Sequence, residues 1–374
     1  MRKPQVFIFG YYGWKNTGDD AMIYAILQEL CALTDRAEFA VLSLVPVVIP
    51  PQARGRVRFI KPSPVKVFWE ILQSSVLVIG GGTHIFDYGI KRRAAKILSR
   101  LLLLVLFARV SGKRVYILGN GIGPLTTAWG KTLAKLICRL ADYISVRDRE
   151  SYRILERWGF TDKARLAFDP SVLIEPSPEI HGGLPEGDKR ISGISLSPVF
   201  EIYYNHREKD CQLVEKIAKP VNQWLKQNPR GEAWLFVFKG KSKDDDVQIT
   251  QLLQERLQPP EQVKLIGYDP DPAKTLARLA QCHAFIGMRY HSCLFAYLNG
   301  VPLLIIDYHP KCRALAEEIE LSEPAVISLP EILNGQFQER WNNLLDSPKD
   351  FRANLPVEIA RQRAMEGIQG VKIP

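Results

Sequence analysis

Arg289-Tyr290-His291 places a permanent cation and a titratable imidazole between an apolar run at 284–288 and a helix-like run at 292–298. A strand that ends there and a helix that begins there put both side chains where open α/β sheets bind ligands and where a helix start favours anions. The chemistry such a pair supports is anion binding beside a proton donor. A second segment has the same surroundings. Gly10-Tyr11-Tyr12-Gly13-Trp14-Lys15-Asn16-Thr17-Gly18-Asp19-Asp20 follows a strand-like run at 5–9 and opens a helix-like run at 21–30. Two such mouths imply a cleft.

The elements that must hold these segments alternate along the chain. In the first half, strand-like runs at 6–9, 39–44, 57–60, 76–79, 115–118 and 143–146 are separated by helix-length amphipathic stretches, the pattern of a parallel doubly wound sheet. Residues 175–190 are rich in Pro, Gly and charge and read as a linker. The alternation resumes at 191–196, 234–238, 263–266, 284–288, 303–306 and 325–329. The predicted architecture is therefore α/β, with two Rossmann-like domains facing each other across a cleft. The domains are expected at 1–174 and 191–374, the second carrying the Arg289/His291 motif and the C-terminal helices.

Composition agrees with this reading. A chain of 374 residues that is 46% hydrophobic and 24% charged is large enough for two cores of about 150 to 200 residues each. The six cysteines form no C-x-x-C pair, and several lie in apolar runs, so reduced core thiols are expected rather than disulfides. Met1-Arg2-Lys3-Pro4 leads directly into a strand without the features of a secretory signal, and a cytoplasmic protein is expected. Gly119-Asn120-Gly121-Ile122-Gly123-Pro124 has proline where a dinucleotide loop needs its third glycine, and no P-loop fits. Zinc-type Cys/His spacings and EF-hand loops are absent from the sequence, so neither a bound metal nor a cofactor is expected.

Charge is uneven. Residues 1–174 carry 26 Lys and Arg against 13 Asp and Glu, whereas residues 175–374 carry 24 against 27. An excess of this size on one half suggests an anionic partner, a nucleic acid or an acidic membrane. The longest apolar run, 101–108, is far short of the roughly 20 residues that cross a bilayer. Arg92, Lys96 and Arg100 precede it at a spacing that lines one helical face, and a peripheral seat on the inner face of a membrane is one reading. A buried layer helix with a solvated basic face is the other, and pattern alone prefers it. No nucleic-acid partner is expected, and the oligomeric state is open.

Taken together and in order, several motifs resemble the polysaccharide pyruvyl transferase family. They are Gly10-Tyr11-Tyr12-Gly13 with Asn16-Thr17-Gly18-Asp19-Asp20, Gly80-Gly81-Gly82, Gly121-Ile122-Gly123-Pro124, Val146-Arg147-Asp148-Arg149-Glu150-Ser151, Asp169-Pro170, Gly287 to Ser292, and Tyr308-His309-Pro310-Lys311. The resemblance implies a fold similar to the B-type glycosyltransferases. It also implies transfer of the enolpyruvyl group of phosphoenolpyruvate onto two hydroxyls of one sugar, giving a pyruvate ketal in a cell-surface glycan precursor.

Phosphoenolpyruvate carries a carboxylate and a phosphate close together, so its pocket needs fixed cations. Arg147, Arg289 and Lys311 suit it, with Asn16 and Ser292 as neutral donors. Ketal formation needs an acid for the methylene carbon, expected to be His291, and a base for the attacking hydroxyl, expected to be Asp19 or Asp20. Gly80, Gly81, Gly82, Gly121 and Gly123 are expected in acceptor or cleft loops, and the acceptor is expected to be a glycan on a lipid diphosphate. Arg147-Asp148 also reads as a structural ion pair, and Gly80-Gly81-Gly82 as a plain tight turn. His84, His283 and His309 are given no role. A nucleotide-sugar glycosyltransferase and a catalytically silent, membrane-associated glycan-binding subunit remain the alternatives.

Overall fold

A computed structural model describes residues 5–87, 91–180, 189–240 and 245–374, with the side chains of 91–95 excepted. The chain divides into two compact units. The first comprises Met1–Trp14, Asp19–Ile174 and Glu358–Pro374, and the second Lys15–Gly18 and Glu175–Val357.

The first unit is built on seven strands: β1 (Gln5–Tyr12), β2 (Glu38–Ser43), β3 (Val57–Ile60), β4 (Val76–Ile85), β5 (Arg114–Ile122), β6 (Tyr143–Val146) and β7 (Ala164–Leu166). All pair in parallel, in the order β3-β2-β1-β4-β5-β6-β7. The order reverses between β1 and β4, so their carboxyl ends form the switch point at which such sheets open a crevice. Gly10–Trp14 and Gly80–His84 sit at those ends. One face of the sheet is covered by helices Pro64–Gln73, Lys91–Val110, Ala128–Leu140 and Arg149–Arg157. Their inward residues, such as Ile71, Leu101, Val105 and Ile137, pack with Leu77, Ile79 and Ile117 of the strands. Each such side chain contributes about 1.5 to 3 kcal/mol by leaving water.

The second unit repeats the plan with six strands: β8 (Ile191–Ser195), β9 (Glu232–Phe236), β10 (Val263–Ile266), β11 (Ala284–Gly287), β12 (Leu303–Asp307) and β13 (Val326–Ser328). The parallel order is β10-β9-β8-β11-β12-β13, which places its switch point between β8 and β11. Ile194, Ile286, Leu304 and Ile306 pack against Leu213, Ile217 and Trp224 of helix Arg207–Gln227.

Two boundaries differ from the sequence reading. The C-terminal helix Val357–Gln369 was expected with the second domain, but from Glu358 onward it belongs to the first unit. Its small inward residues allow close approach: a Cβ on Gly367 would lie 2.5 Å from Ala167 Cβ. Glu366 pairs with Arg165, Arg361 Nε donates to Val172 O at 3.2 Å, and Tyr116 Oη donates to Lys372 O at 3.0 Å. Residues Lys15–Gly18, expected with the first domain, belong to the second unit. Thr17 N donates to Phe238 O and Gly240 N to Lys15 O, both at 2.9 Å, so the segment adds a short antiparallel bridge beyond β9. The expected linker lies partly outside the described residues, as does the start Met1 to Pro4.

Candidate functional site

In the second unit, Arg289 follows β11 and stands as the N-cap residue of helix Tyr290–Leu298. Its guanidinium is held by Asp246: Nε and Nη2 donate to Oδ1 at 2.9 and 2.6 Å. The other carboxylate oxygen accepts Lys239 N at 2.9 Å. The Asp246 side chain is wholly buried, and that of Arg289 is 18% exposed. Burial pushes the Asp246 carboxyl upward, while Arg289 and the Lys239 amide pull it back. A two-point pair of this kind fixes the plane of the guanidinium.

His291 follows in the first turn of the same helix, and its imidazole lies against the backbone of Gly18. A Cβ on Gly18 would stand 1.9 Å from His291 Nδ1, so only glycine permits the contact. Asn16 closes the turn beside it by accepting Gly18 N on Oδ1 at 3.2 Å. Lys311 follows the neighbouring strand β12, with Nζ 5.7 Å from the centroid of the Tyr308 ring. Burial drives the Tyr308 phenol well above its usual range, and the nearby charges of Arg289 and Asp246 act on it in opposite directions. His309 caps helix Pro310–Glu318 by accepting Lys311 N on Nδ1 at 3.1 Å. Asn16, Gly18, Arg289, His291 and Lys311 thus share one unit, on segments at the carboxyl ends of its strands.

Ser292, expected to bind donor, is fully buried and donates its hydroxyl to Arg289 O at 2.8 Å within the first helical turn.

The first unit gathers the other expected residues. Tyr12 folds back so that its ring fills the space a Cβ would need at Gly10 and at Gly80, which explains both glycines. Burial raises the Tyr12 phenol well above its usual range, and Asp19 and Asp20 add to the shift. Gly81 and Gly82 take positive φ of 39° and 89°, and a Cβ on Gly82 would lie 3.7 Å from Asp19 Oδ1. The triplet, expected in a loop, thus lies within the carboxyl-terminal part of β4, packed beside Asp19. Asp20, expected as a possible base, is buried and accepts Gly13 N at 2.9 Å, which ties the loop after β1 to the start of the following helix.

Arg147, expected as a donor ligand or as a partner of Asp148, is 5% exposed and donates from Nη1 to Asp169 Oδ2 at 2.8 Å and from Nη2 to Thr83 Oγ1 at 3.0 Å. Asp148 instead caps helix Arg149–Arg157 by accepting Ser151 N at 2.7 Å. Gly121 lies beside the Arg147 guanidinium, which a Cβ there would approach to 3.3 Å, and Gly123 N donates to Ile85 O at 2.7 Å.

His84, which the sequence gave no role, is 3% exposed at the end of β4. Its Nε2 lies 3.1 Å from Gly80 O, and its ring stacks on Tyr11 at 5.2 Å. Burial lowers its pKa and Arg147 adds to this, against the hydrogen bonds to the Gly80 and Gly81 backbone.

Sequence reasoning missed Asp246 and Asp169 as partners of the two arginines. Asp246 ends the acidic run Asp244-Asp245-Asp246, which looks like a solvated loop, and no local spacing links it to Arg289. Asp169 had been singled out only as part of a motif. The side chain of Arg92 lies outside the described residues, while Lys96 and Arg100 are exposed. Among the described residues no group of three or more His, Cys, Asp or Glu is placed to hold a metal ion.

Comparison with known proteins gives the family and the fold. A curated relative, the amylovoran biosynthesis protein AmsJ of Erwinia amylovora, is 21% identical over 280 residues, covering 72% of this chain and 66% of its own length. The chain therefore spans just under two thirds of that relative. Among solved structures, a putative UDP-N-acetylglucosamine 2-epimerase from Listeria monocytogenes aligns with a TM-score of 0.63 at 12% identity, over 97% of this chain and 94% of its own. Anabaena HepE in complex with UDP-glucose aligns at 0.59 and 13% identity, over 98% and 100%. At these identities the likeness establishes fold alone, two Rossmann-like domains of the B-type glycosyltransferase kind. The family model of the polysaccharide pyruvyl transferases matches residues 16–310, which takes in Asn16 to Asp20 and Arg289 to Ser292, and the chain belongs to that family.

Proposed function

We propose that the protein moves the enolpyruvyl group of phosphoenolpyruvate onto two hydroxyls of one sugar in a glycan precursor, forming a cyclic pyruvate ketal and releasing phosphate. The observation that carries this reading is the placement of Arg289, His291 and Lys311 on the segments that follow the paired strands β11 and β12. Two fixed cations meet the charge of the donor, and Asp246 holds one of them in orientation before any ligand arrives.

His291 gives a proton to the methylene carbon of phosphoenolpyruvate, whose double bond supplies the electron pair, and an oxocarbenium-like centre forms at the adjacent carbon. One sugar hydroxyl adds there and loses its proton to a base. A second hydroxyl of the same sugar then displaces phosphate and loses its proton in turn, which closes the ketal. Gly18 bears on this chemistry because the surface it leaves bare sets the position of the imidazole. The acceptor in this reading is a glycan carried on a lipid diphosphate.

The test is incubation of the protein with phosphoenolpyruvate and a lipid-linked glycan fraction, reading phosphate release together with an acid-labile pyruvate on the glycan. Both signals should appear in parallel and fall at least a hundredfold in His291→Ala, since general acids contribute about 10²-fold or more. Phosphate release without pyruvate on the glycan, or undiminished activity in His291→Ala, would overturn the assignment.

A further inference from the structure

The helices that cover one face of the first unit's sheet leave an unusual outer surface. Pro64–Gln73 exposes Val65, Phe68, Trp69 and Leu72, with Val65 at 78% and Trp69 at 59%. Lys91–Val110 exposes Leu103, Leu106 and Val110, and Phe68 meets Phe107 edge to face at 4.7 Å, which joins the two helices into one surface. Ala128–Leu140 adds Trp129, at 60%, and Leu136. The inward residues of all three helices belong to a single core, so their outer sides lie on the same side of the sheet. Scattered exposed leucines need no explanation, but two tryptophans and several large aliphatics on three neighbouring helices form a patch that does.

Charge says what covers it. The three helices together hold ten Lys and Arg and one acid, Glu70. Glu70 is buried and bound to Arg58, so it faces no partner. Lys66, Lys96, Arg100, Lys131, Lys135 and Arg139 are all exposed. Asp142, which follows the third helix, is paired to Arg109 at 2.6 Å. A second copy of this chain would bring the six exposed basic residues Lys66, Lys96, Arg100, Lys131, Lys135 and Arg139 against the same six, which opposes a symmetric pairing through this face. Apolar side chains and indoles among basic residues match instead the interface of an anionic bilayer, where tryptophan sits at headgroup depth. Among the described residues no helix is long and apolar enough to cross a membrane, so the association is peripheral.

We infer that this three-helix face docks the protein on an anionic lipid surface. The structure also reshapes the sequence expectation. Half of the 101–108 run does not touch lipid, because Leu101, Leu104, Val105 and Ala108 are buried in the core. The contact is made by the residues between them and by the flanking helices, above all through Trp69 and Trp129. Its consequence is a raised local concentration of any lipid-linked substrate.

The test is co-sedimentation of the full chain with vesicles of phosphatidylcholine alone and of phosphatidylcholine with roughly a third phosphatidylglycerol, at low and high salt. Binding is expected only to the anionic vesicles and should weaken with salt. Replacing Lys96, Arg100, Lys131 and Lys135 together by Gln should weaken it by roughly 600-fold, since each of the four charges contributes roughly fivefold. Trp69→Ser with Trp129→Ser should reduce binding to the anionic vesicles without changing the melting temperature, because both side chains are exposed. Equal binding to both vesicles, no binding to either, or a dimer in sedimentation velocity that the tryptophan variant dissociates would each overturn the proposal.

Discussion

Substituting Gly18 by Ala perturbs the expected acid without touching it chemically. The new methyl carbon would stand 1.9 Å from His291 Nδ1, 2.1 Å from Cγ and 2.6 Å from Cε1. Ordinary contact is about 3.5 Å, so the ring must withdraw by about 1.6 Å. Overpacking of this kind costs about 1 to 3 kcal/mol, while alanine in a helix gains up to about 1 kcal/mol over glycine. The net change in stability should be small and unfavourable. Catalysis should suffer far more, because displacing a reacting group by about 1 Å costs about 10²-fold. The decisive measurement is a double-variant cycle by urea unfolding. In Gly18→Ala with His291→Ala the clash is gone, so the steric cost should vanish and the pair should couple by about 1 kcal/mol or more. Additive stability changes, with phosphate release in Gly18→Ala above about a tenth of wild type, would refute both the contact and the role drawn from it.

Asp246→Asn should leave Arg289 as an uncompensated, largely buried charge and lower unfolding stability by about 3 kcal/mol in urea titrations, with phosphoenolpyruvate no longer stabilising the variant. Arg147→Lys should lose the two-point hold on Asp169 and Thr83 and lower stability by about 1 to 3 kcal/mol; unchanged stability with weakened donor affinity would make Arg147 a ligand instead. The depressed pKa of His84 implies that below about pH 6.5 the unfolded chain takes up a proton that the folded chain resists, so this site removes stability as pH falls and has no effect above that range. Melting temperatures between pH 7.5 and 5 should therefore fall less steeply in His84→Gln than in wild type.

Much of the fold was legible because a parallel sheet covered on both faces reads as apolar runs between amphipathic helices. The runs at 57–60, 143–146 and 263–266 match β3, β6 and β10 residue for residue. Where strands were misjudged, glycine or charge hid them. β5 continues through Gly119-Asn120-Gly121 to Ile122, beyond the expected end at 118, and β7 is three residues long with Arg165 at its centre. The two candidate arginines were legible as cations near strand ends, but their carboxylate partners were not, since Asp169 and Asp246 lie 22 and 43 residues away from them in sequence. Ser292 and Asp20 had the right chemistry for a site, and only the packing shows that the first donates to a backbone carbonyl and the second accepts from a backbone amide. The amphipathic C-terminal helix carries no sign of which core it joins. Pairing with Arg165 and contact with Ala167 decide it.

The most direct test of donor recognition is a melting-temperature titration of the wild-type chain, of Arg289→Lys and of His291→Ala with phosphoenolpyruvate and, separately, with UDP. Ligand binding to the folded state raises the melting temperature. The account predicts a rise with phosphoenolpyruvate in the wild type that is diminished in Arg289→Lys, retained in large part in His291→Ala, and absent with UDP. A rise with UDP and none with phosphoenolpyruvate would contradict it and identify a nucleotide-sugar site on the same fold.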